Sequence, residues 1–147
     1  MPMIDFTLPA GAIEPAAREE LLDELATKLL GWERAPDTDF FRSVTWAFVH
    51  ELPEGTITAG GAEPVFRVVF TVPQGALSDR RKQELVSEAT RAVSEAAGLG
   101  EADGLRVFVL ISEVPDGNWG AAGQVVRYSQ LVEAAQAQRE AAAAPAP

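Results

Sequence analysis

The feature of this sequence that most restricts its fold is an internal repeat. When the N-terminal segment is laid over the middle of the chain, residues 6–9 (FTLP) match residues 70–73 (FTVP). Farther along, and two residues out of that register, residues 51–55 (ELPEG) match residues 113–117 (EVPDG). Because several matches fall close to one register, the two halves are predicted to be copies of one supersecondary unit.

Each copy is predicted to form a β-α-β unit. In the first copy, leucines recur at helical spacing between Leu21 and Leu29, and Pro15 lies where the first turn of a helix accepts proline. Gly31 is a natural stop for that helix. The predicted elements are a strand at 2–8, a helix from near Glu14 to Gly31, a strand at 44–49, a strand at 65–72, a helix from near Ser78 and a strand at 105–111.

Two such units define the fold class. Parallel strands joined by a helix need a right-handed crossover, which places both helices on one side of the sheet. We therefore expect an α+β fold in which a four-stranded mixed sheet carries two helices on one face. The other face would expose Val, Phe and Trp side chains to water, so we also expect the chain to oligomerise. A ferredoxin-like regulatory domain is the alternative, but its repeat pairs strands antiparallel.

The repeat also sets the domain boundaries. Residues 1–126 are predicted to form one domain, with the two units at about 2–55 and 64–123. Residues 127–147 differ in character, because a short helix can run to Glu140 and is followed by a stretch of only Ala and Pro. We expect this last stretch to be disordered.

The composition excludes several classes of function. The chain has 147 residues, a formal net charge of −10, no cysteine and one histidine, His50. Disulfides, a cysteine nucleophile and a multi-histidine metal site are therefore excluded, and no metal is expected. Nucleic acids and anionic membranes need a basic surface, so neither is an expected partner, whereas small anions remain possible if arginines gather locally. The sequence has no signal-peptide pattern and no membrane-spanning apolar run, so we expect a cytoplasmic protein.

The N-terminus carries the first candidate for chemistry. Pro2 follows Met1 directly and heads a predicted strand. If Met1 is removed, the chain begins with a secondary amine anchored in a sheet. An α-amino group titrates at about 7.7–8.0 when unperturbed, and burial disfavours its charged form. A neutral amine near pH 7 is a general base.

Two β-α-β units behind a Met-Pro start resemble the tautomerase superfamily, the group typified by 4-oxalocrotonate tautomerase and malonate semialdehyde decarboxylase. The resemblance covers roughly residues 2–125. Its most specific match is residues 113–123 (EVPDGNWGAAG), with a strand-ending glutamate, a glycine turn, an aromatic residue and a closing glycine. The resemblance implies a homotrimer that needs no cofactor, in which Pro2 moves a proton between oxygen and carbon of an enol or dienol acid. It also implies that Trp119 forms a wall of the pocket and that arginines hold the substrate carboxylate.

The arginines are where this chain departs from its relatives. Where many relatives have an arginine just before the first helix, this chain has Ile13, and its second unit has Leu77. Trp46 and Phe108 occupy a mid-strand position that holds another family arginine. The usual carboxylate clamp is therefore absent at the positions that align.

Other arginines become candidates for this role. Arg42, Arg67 or Arg106 can substitute as a bidentate partner for the carboxylate. Asp39 and Arg42 lie in a stretch similar to that in which the decarboxylase branch carries an aspartate that orients water. Each candidate also has a purely structural interpretation: Trp119 as an interface anchor, the strand-end arginines as exposed charges, and Asp39 with Arg42 as a loop ion pair.

The sequence thus predicts an isomerase, a tautomerase that acts on a small enol, dienol or 2-oxo acid with Pro2 as general base and then acid. One alternative is a hydratase, dehalogenase or decarboxylase of a three-carbon acid, in which Pro2 acts protonated and Asp39 positions water. The other alternative is a non-catalytic binding oligomer on the same scaffold, which the missing arginines favour.

Overall fold

The computed structural model describes residues 1–58, 61 and 63–143. The first unit contains β1 (Met3–Pro9), α1 (Pro15–Glu33), α2 (Asp39–Ser43) and β2 (Trp46–Leu52). The second unit contains β3 (Phe66–Pro73), α3 (Asp79–Ala96), a 3₁₀ segment (Glu101–Arg106) and β4 (Val107–Val114). A hairpin of β5 (Trp119–Ala121) and β6 (Gln124–Val126) follows, and then α4 (Tyr128–Ala143).

The four long strands form one mixed sheet in the order β2-β1-β3-β4. The strands within each unit, β1 with β2 and β3 with β4, are parallel, and the two units meet at the antiparallel pair β1 and β3. α1 and α3 pack side by side over one face. The predicted fold class is therefore confirmed, and the parallel pairing within each unit rules out the ferredoxin-like alternative.

The core lies between this sheet and the two helices. β1 alternates between buried and partly exposed positions, as expected for a strand with one face covered. Ile13 and Leu77, the two residues that replace family arginines, are buried at corresponding places before α1 and α3. The buried strand side chains at the centre are Ile4, Phe6, Leu8, Val68, Phe70 and Val72, and the helices cover them with Leu21, Leu25, Leu29, Leu85, Ala89 and Val93.

The repeat extends to the ion pairs that join each helix to its second strand. In the first unit, Arg18 of α1 lies 2.6 Å from the carboxylate of Glu51 in β2. In the second unit, Lys82 of α3 lies 2.9 Å from the carboxylate of Glu113 in β4. Glu51 and Glu113 are the glutamates that open the two matching segments. Each unit thus repeats the backbone path and also one long-range side-chain contact.

The first helix does not end at Gly31 as predicted. It continues to Glu33, and Arg34 caps it in the left-handed conformation with φ of 57°. A glycine inside a helix costs only about 1 kcal/mol, so packing can override it. Here Leu30 is buried in a small cluster with Phe41 of α2 and Ala135 of α4. The extra turn matters because it contains Glu33.

Other boundaries differ by a few residues. β2 and β4 each begin about two residues later than predicted, and the 3₁₀ segment occupies the place where β4 was expected to start. α3 begins after Ser78, whose side chain caps the helix, as predicted. α4 continues three residues beyond Glu140, so the stretch expected to be disordered is helical to Ala143. The predicted disorder of 144–147 lies outside the described residues.

The second face of the sheet is open within one chain. Trp46 at one edge of the sheet is 60% exposed and Phe108 at the other edge is 63% exposed. Trp46 pairs with Met3, and Phe108 pairs with Arg67. Met3 and Arg67 correspond to each other in the repeat, so Trp46 and Phe108 occupy matching positions. Among the residues that the structure describes, no helix is both long enough and apolar enough to cross a membrane.

Candidate active site

Pro2 lies at the head of β1 with its side chain fully buried. Its carbonyl oxygen accepts a hydrogen bond from the backbone N–H of Trp46 at 3.2 Å, which fixes the residue against the neighbouring strand. Met1 is partly buried beside it and lines two cavities, one on each side. We call them the Glu33 cavity and the Trp119 cavity.

The Glu33 cavity has a volume of about 400 Å³ and lies between β1, α1, α3 and α4. Its charged lining consists of Glu33, Arg34, Arg81 and Arg139, and α4 also contributes Tyr128. Three guanidinium groups and one carboxylate give this cavity a net positive lining in a chain of net charge −10. Positive charge concentrated in a cleft attracts small anions.

Glu33 is the unusual group of this cavity. Its Oε1 atom is buried and has no hydrogen-bond partner in the described structure. Burial raises the pKa of Glu33 from an ordinary value of 4.5 to about 7, and the nearby α-amino group partly opposes this rise. Burial also lowers the pKa of the Met1 α-amino group below 8.0, and Glu33 partly opposes that change. The carboxyl and the amine therefore face each other in a site that disfavours charge on both.

Two of the three arginines are held by backbone carbonyls. Arg81 donates to the carbonyl oxygens of Trp32 and Ala76 at 3.5 and 3.4 Å. Arg139 donates through Nη2 to the carbonyl oxygen of Arg34. A guanidinium has five N–H donors, so contacts of this kind orient the group and leave donors for a ligand.

The fourth helix forms one wall of the Glu33 cavity, and three contacts hold it in place. Asp116 accepts a hydrogen bond from the backbone N–H of Tyr128 at 2.9 Å, which caps the start of the helix. Thr38 donates to the side chain of Gln138 at 2.5 Å. Between these points, Ala135 is buried against Leu30 and its neighbours. Arg139 is thereby brought to the cavity from the far end of the sequence.

The Trp119 cavity has a volume of about 590 Å³ and is mostly apolar. Trp119 and Trp46 line it together with Met1 and Met3. The β5–β6 hairpin that carries Trp119 turns through Ala122 and Gly123 with φ of 51° and 75°, the pattern of a two-residue turn that matches strand twist.

The turn before Trp119 requires glycine. Gly117 has φ of 94°, and a Cβ at this position would lie 2.3 Å from Nη1 of Arg127. The same arginine lies 3.3 Å from Asp116. Gly117 therefore allows Arg127 to pack across the turn that leads from β4 into the hairpin.

The structure places Trp119 in the wall of a cavity that is also lined by Met1, the neighbour of Pro2 in the chain. It does not bring Asp39 or Arg42 to Met1. Asp39 is in the first turn of α2, and Arg42 lies 2.6 Å from Asp37 and 2.8 Å from Asp23. The hydrogen bond from Arg42 lowers the pKa of Asp37 and raises that of Arg42.

Arg67 and Arg106 also lie apart from Met1 within one chain. Arg67 lines a shallow depression on the open sheet face with Asp5 and His50, whose Nε2 lies 2.8 Å from the Asp5 carboxylate. Arg106 donates to the carbonyl oxygen of Pro64 at 2.9 Å and lies 3.3 Å from Asp103. The binding roles predicted for Asp39, Arg42, Arg67, Arg106 and Trp119 remain predictions.

Sequence reasoning did not select Glu33, Arg81, Tyr128 or Arg139 as site residues. Arg81 carried a usable signal, because it lies in the first turn of a helix near the usual arginine position. Glu33 was hidden by the expected helix stop at Gly31. Arg139 lies in an alanine-rich segment with no marked periodicity, so nothing local connected it to a site.

Comparison with known proteins identifies a family model that matches part of the chain and solved structures that share its fold. Residues 68–128 match the family model described as "Tautomerase enzyme". No curated protein matches the chain in sequence. Solved structures match over most of its length. A fused 4-OT described as a wild-type symmetric trimer has a TM-score of 0.69 at 20% identity, over 86% of this chain and 96% of its own.

Two further structures extend the comparison. Pt0534 inactivated by 2-oxo-3-pentynoate has a TM-score of 0.72 at 18% identity, over 87% of this chain and 98% of its own. N1, a member of the cis-3-chloroacrylic acid dehalogenase family, has a TM-score of 0.71 at 19% identity, over 97% of this chain and 92% of its own. The chain therefore matches the tautomerase family model over residues 68–128 and shares the overall fold of these solved structures.

Proposed function

We propose that this protein is a cofactor-independent tautomerase, an isomerase of small enol, dienol or 2-oxo acids, and that removal of Met1 creates its active site. Met1 is the wall shared by the two cavities, so its removal joins them at the Pro2 nitrogen. The amine moves by about one residue, roughly 3.3–3.6 Å, and stays beside the same groups. Pro2 then takes a proton from the substrate and returns it to a different atom.

The observation that carries this proposal is the positive lining of the Glu33 cavity in an acidic protein. Arg81 of α3 and Arg139 of α4 line the cavity that Met1 also lines. A planar guanidinium matches a carboxylate in geometry as well as charge. These two arginines take the place of the clamp that is missing at Ile13 and Leu77, and Trp119 supplies the apolar wall on the other side.

The environment of the N-terminus also suits a base. Burial lowers the pKa of the α-amino group at Met1. The same surroundings favour a neutral Pro2 nitrogen, and a base works best when its pKa lies near the working pH.

The decisive experiment combines intact mass with a substrate panel. We expect the purified chain to lack the mass of Met1 and to turn over an enol or 2-oxo acid such as phenylpyruvate. Pro2→Ala also exposes an N-terminal amine but changes its geometry and basicity, and we expect turnover to fall at least about 100-fold while the circular dichroism spectrum is unchanged. Full activity in Pro2→Ala contradicts the proposal, and retention of Met1 favours a non-catalytic binding oligomer.

A hydratase, dehalogenase or decarboxylase of a three-carbon acid is the second candidate. It is favoured by the carboxyl of Glu33 opposite the amine, since an ionised carboxylate there stabilises a protonated Pro2. The likeness of N1, named as a dehalogenase-family member, over 97% of this chain agrees with this reading. Turnover of 3-oxopropanoate without turnover of phenylpyruvate would select it.

We further propose that the protein assembles as a homotrimer through the open sheet face. Exposed Trp46 and Phe108 lie on this face, and large apolar patches on a monomer usually mark an interface. A fused 4-OT of the same fold is described as a symmetric trimer. A cytoplasmic location remains a prediction.

A further inference from the structure

We propose that Glu33 is a second proton-transfer group of this enzyme: its carboxyl gives a proton to the substrate oxygen while the Pro2 nitrogen exchanges a proton with the substrate carbon. This inference rests on the proposed tautomerase function. In this inference the Glu33 carboxyl transfers a proton, whereas Arg81 and Arg139 bind the carboxylate of the substrate.

The first support is position. Glu33 lies in the last turn of α1 and lines the same cavity as Met1. Its Oε1 is buried without a hydrogen-bond partner, which is costly for a carboxyl oxygen unless a ligand completes the site. When Met1 leaves, the vacated space has the Pro2 nitrogen on one side and the Glu33 carboxyl on another. A substrate that fills this space touches both groups.

The second support is the charge around the group. The charged and titratable groups that line the cavity with Glu33 are the α-amino group of β1, Arg34 at the end of α1, Arg81 of α3, and Tyr128 and Arg139 of α4. A bound carboxylate neutralises the arginines and repels an ionised Glu33. Binding therefore favours the protonated carboxyl, in the same direction as burial, which already places the pKa of Glu33 at about 7.

The proton balance of the step is simple. In the keto-to-enol direction, Pro2 nitrogen takes a proton from the carbon next to the carbonyl, and the C–H electron pair forms the C=C bond. The C=O π pair moves to oxygen, which takes the proton of Glu33. Protonated Pro2 and ionised Glu33 result, and transfer of one proton between them restores the starting state. Ketonisation is the same sequence in reverse.

The test compares Glu33→Gln with Glu33→Asp and with Glu20→Gln, which changes an exposed glutamate of the same helix. We expect Glu33→Gln to lower kcat about 100-fold and to remove the loss of kcat/KM, which reports the free enzyme, that the wild type shows as pH rises through about 7. Glu33→Asp should restore part of the activity and the pH limb, and Glu20→Gln should match the wild type. An unchanged pH profile in Glu33→Gln overturns the inference.

A binding measurement separates this inference from the proposed function. Phenylpyruvate is titrated calorimetrically into Pro2→Ala at pH 7.5, in two buffers of different ionisation enthalpy. We expect proton uptake on binding, and its loss in the double variant Pro2→Ala, Glu33→Gln. Binding without proton uptake overturns the role of Glu33 even if Pro2 is the base. Full activity in Pro2→Ala, by contrast, overturns the proposed function.

Discussion

Glutamates in this chain have two kinds of surroundings, and these decide what each can do. Glu51 and Glu113 lie at corresponding strand ends, and each has a basic partner one helix away. The hydrogen bond from Lys82 holds the pKa of Glu113 below its usual range. Glu33 has a buried oxygen without a hydrogen-bond partner, and its pKa is raised. A paired carboxylate contributes to stability, whereas a buried unpaired one is available for proton transfer.

The paired kind leads to a prediction at the residue scale. Because the folded-state pKa of Glu113 is lowered, its contribution to stability is present above the unfolded-state pKa and is lost as pH falls through the folded value. The pair is near the surface, so we expect Glu113→Gln to reduce the free energy of unfolding by only about 0.5 kcal/mol at pH 7. The difference from wild type should vanish near pH 3. Urea denaturation at both pH values measures it.

The control for this prediction is Glu84→Gln, which removes an exposed glutamate from α3. This variant should have the stability of the wild type at both pH values. A loss in Glu113→Gln that persists at pH 3 would mean that packing, and not charge, is responsible.

At the scale of elements, the last turn of α1 and the whole of α4 decide the shape of the site. They meet in the cluster of Leu30, Phe41 and Ala135. One contact thus holds the turn that carries Glu33 and also the helix that carries Arg139. The β-α-β units supply Pro2, Glu33, Arg81 and the core, and α4, which lies outside the repeat, supplies the wall of the Glu33 cavity that contains Tyr128 and Arg139.

A charge placed in this cluster should release α4. We expect Ala135→Glu to increase hydrogen exchange across 128–143 and to weaken phenylpyruvate binding by Pro2→Ala at least about tenfold, a loss of about 1.4 kcal/mol. The reason is that a buried, unpaired carboxylate is strongly unfavourable. Ala137→Glu places the same charge on the exposed side of the helix and should change neither quantity. Equal exchange in both variants would show that the cluster does not hold the helix.

At the scale of the whole molecule, the sheet has one covered face and one open face. The open face has apolar side chains on both edge strands and the polar residues Asp5 and Arg67 on the two central strands, with His50 of the edge strand β2 beside Asp5. This distribution suits an interface that buries the apolar side chains of the edge strands and encloses the hydrogen-bonded polar groups of the open face. Arg67 would then lie within the assembly and not in the solvent.

The open face can be tested by sedimentation. We expect the wild type to sediment as a trimer of 15.7 kDa chains and Phe108→Glu to dissociate, because the substitution places a charge in the middle of an apolar contact. Phe40→Glu changes a phenylalanine of similar exposure on α2, away from the sheet, and should remain trimeric. A wild-type monomer would contradict the proposed assembly, and dissociation of both variants would contradict the choice of face.

The sequence by itself determined the fold class, and it supplied Pro2 as the proposed reacting residue. The repeat, the helical spacing of the leucines and the helix starts near Glu14 and Ser78 follow from local patterns, so they predicted two parallel β-α-β units, and they placed Pro2 at the head of a strand. They also located the exposed sheet face, because strand alternation follows from residue order alone.

Only the tertiary structure decided which side chains surround Pro2. Glu33, Arg81 and Arg139 are far apart in the chain, and they meet because α1 runs two residues past Gly31 and α4 folds back onto it. Both outcomes depend on packing between segments that are distant in the chain. This packing outweighs the tendency of Gly31 to end a helix and the lack of a marked periodicity in the alanine-rich segment. Glu33 and Arg139 therefore come from positions that no local pattern connects to the N-terminus, whereas Arg81 lies in the first turn of α3.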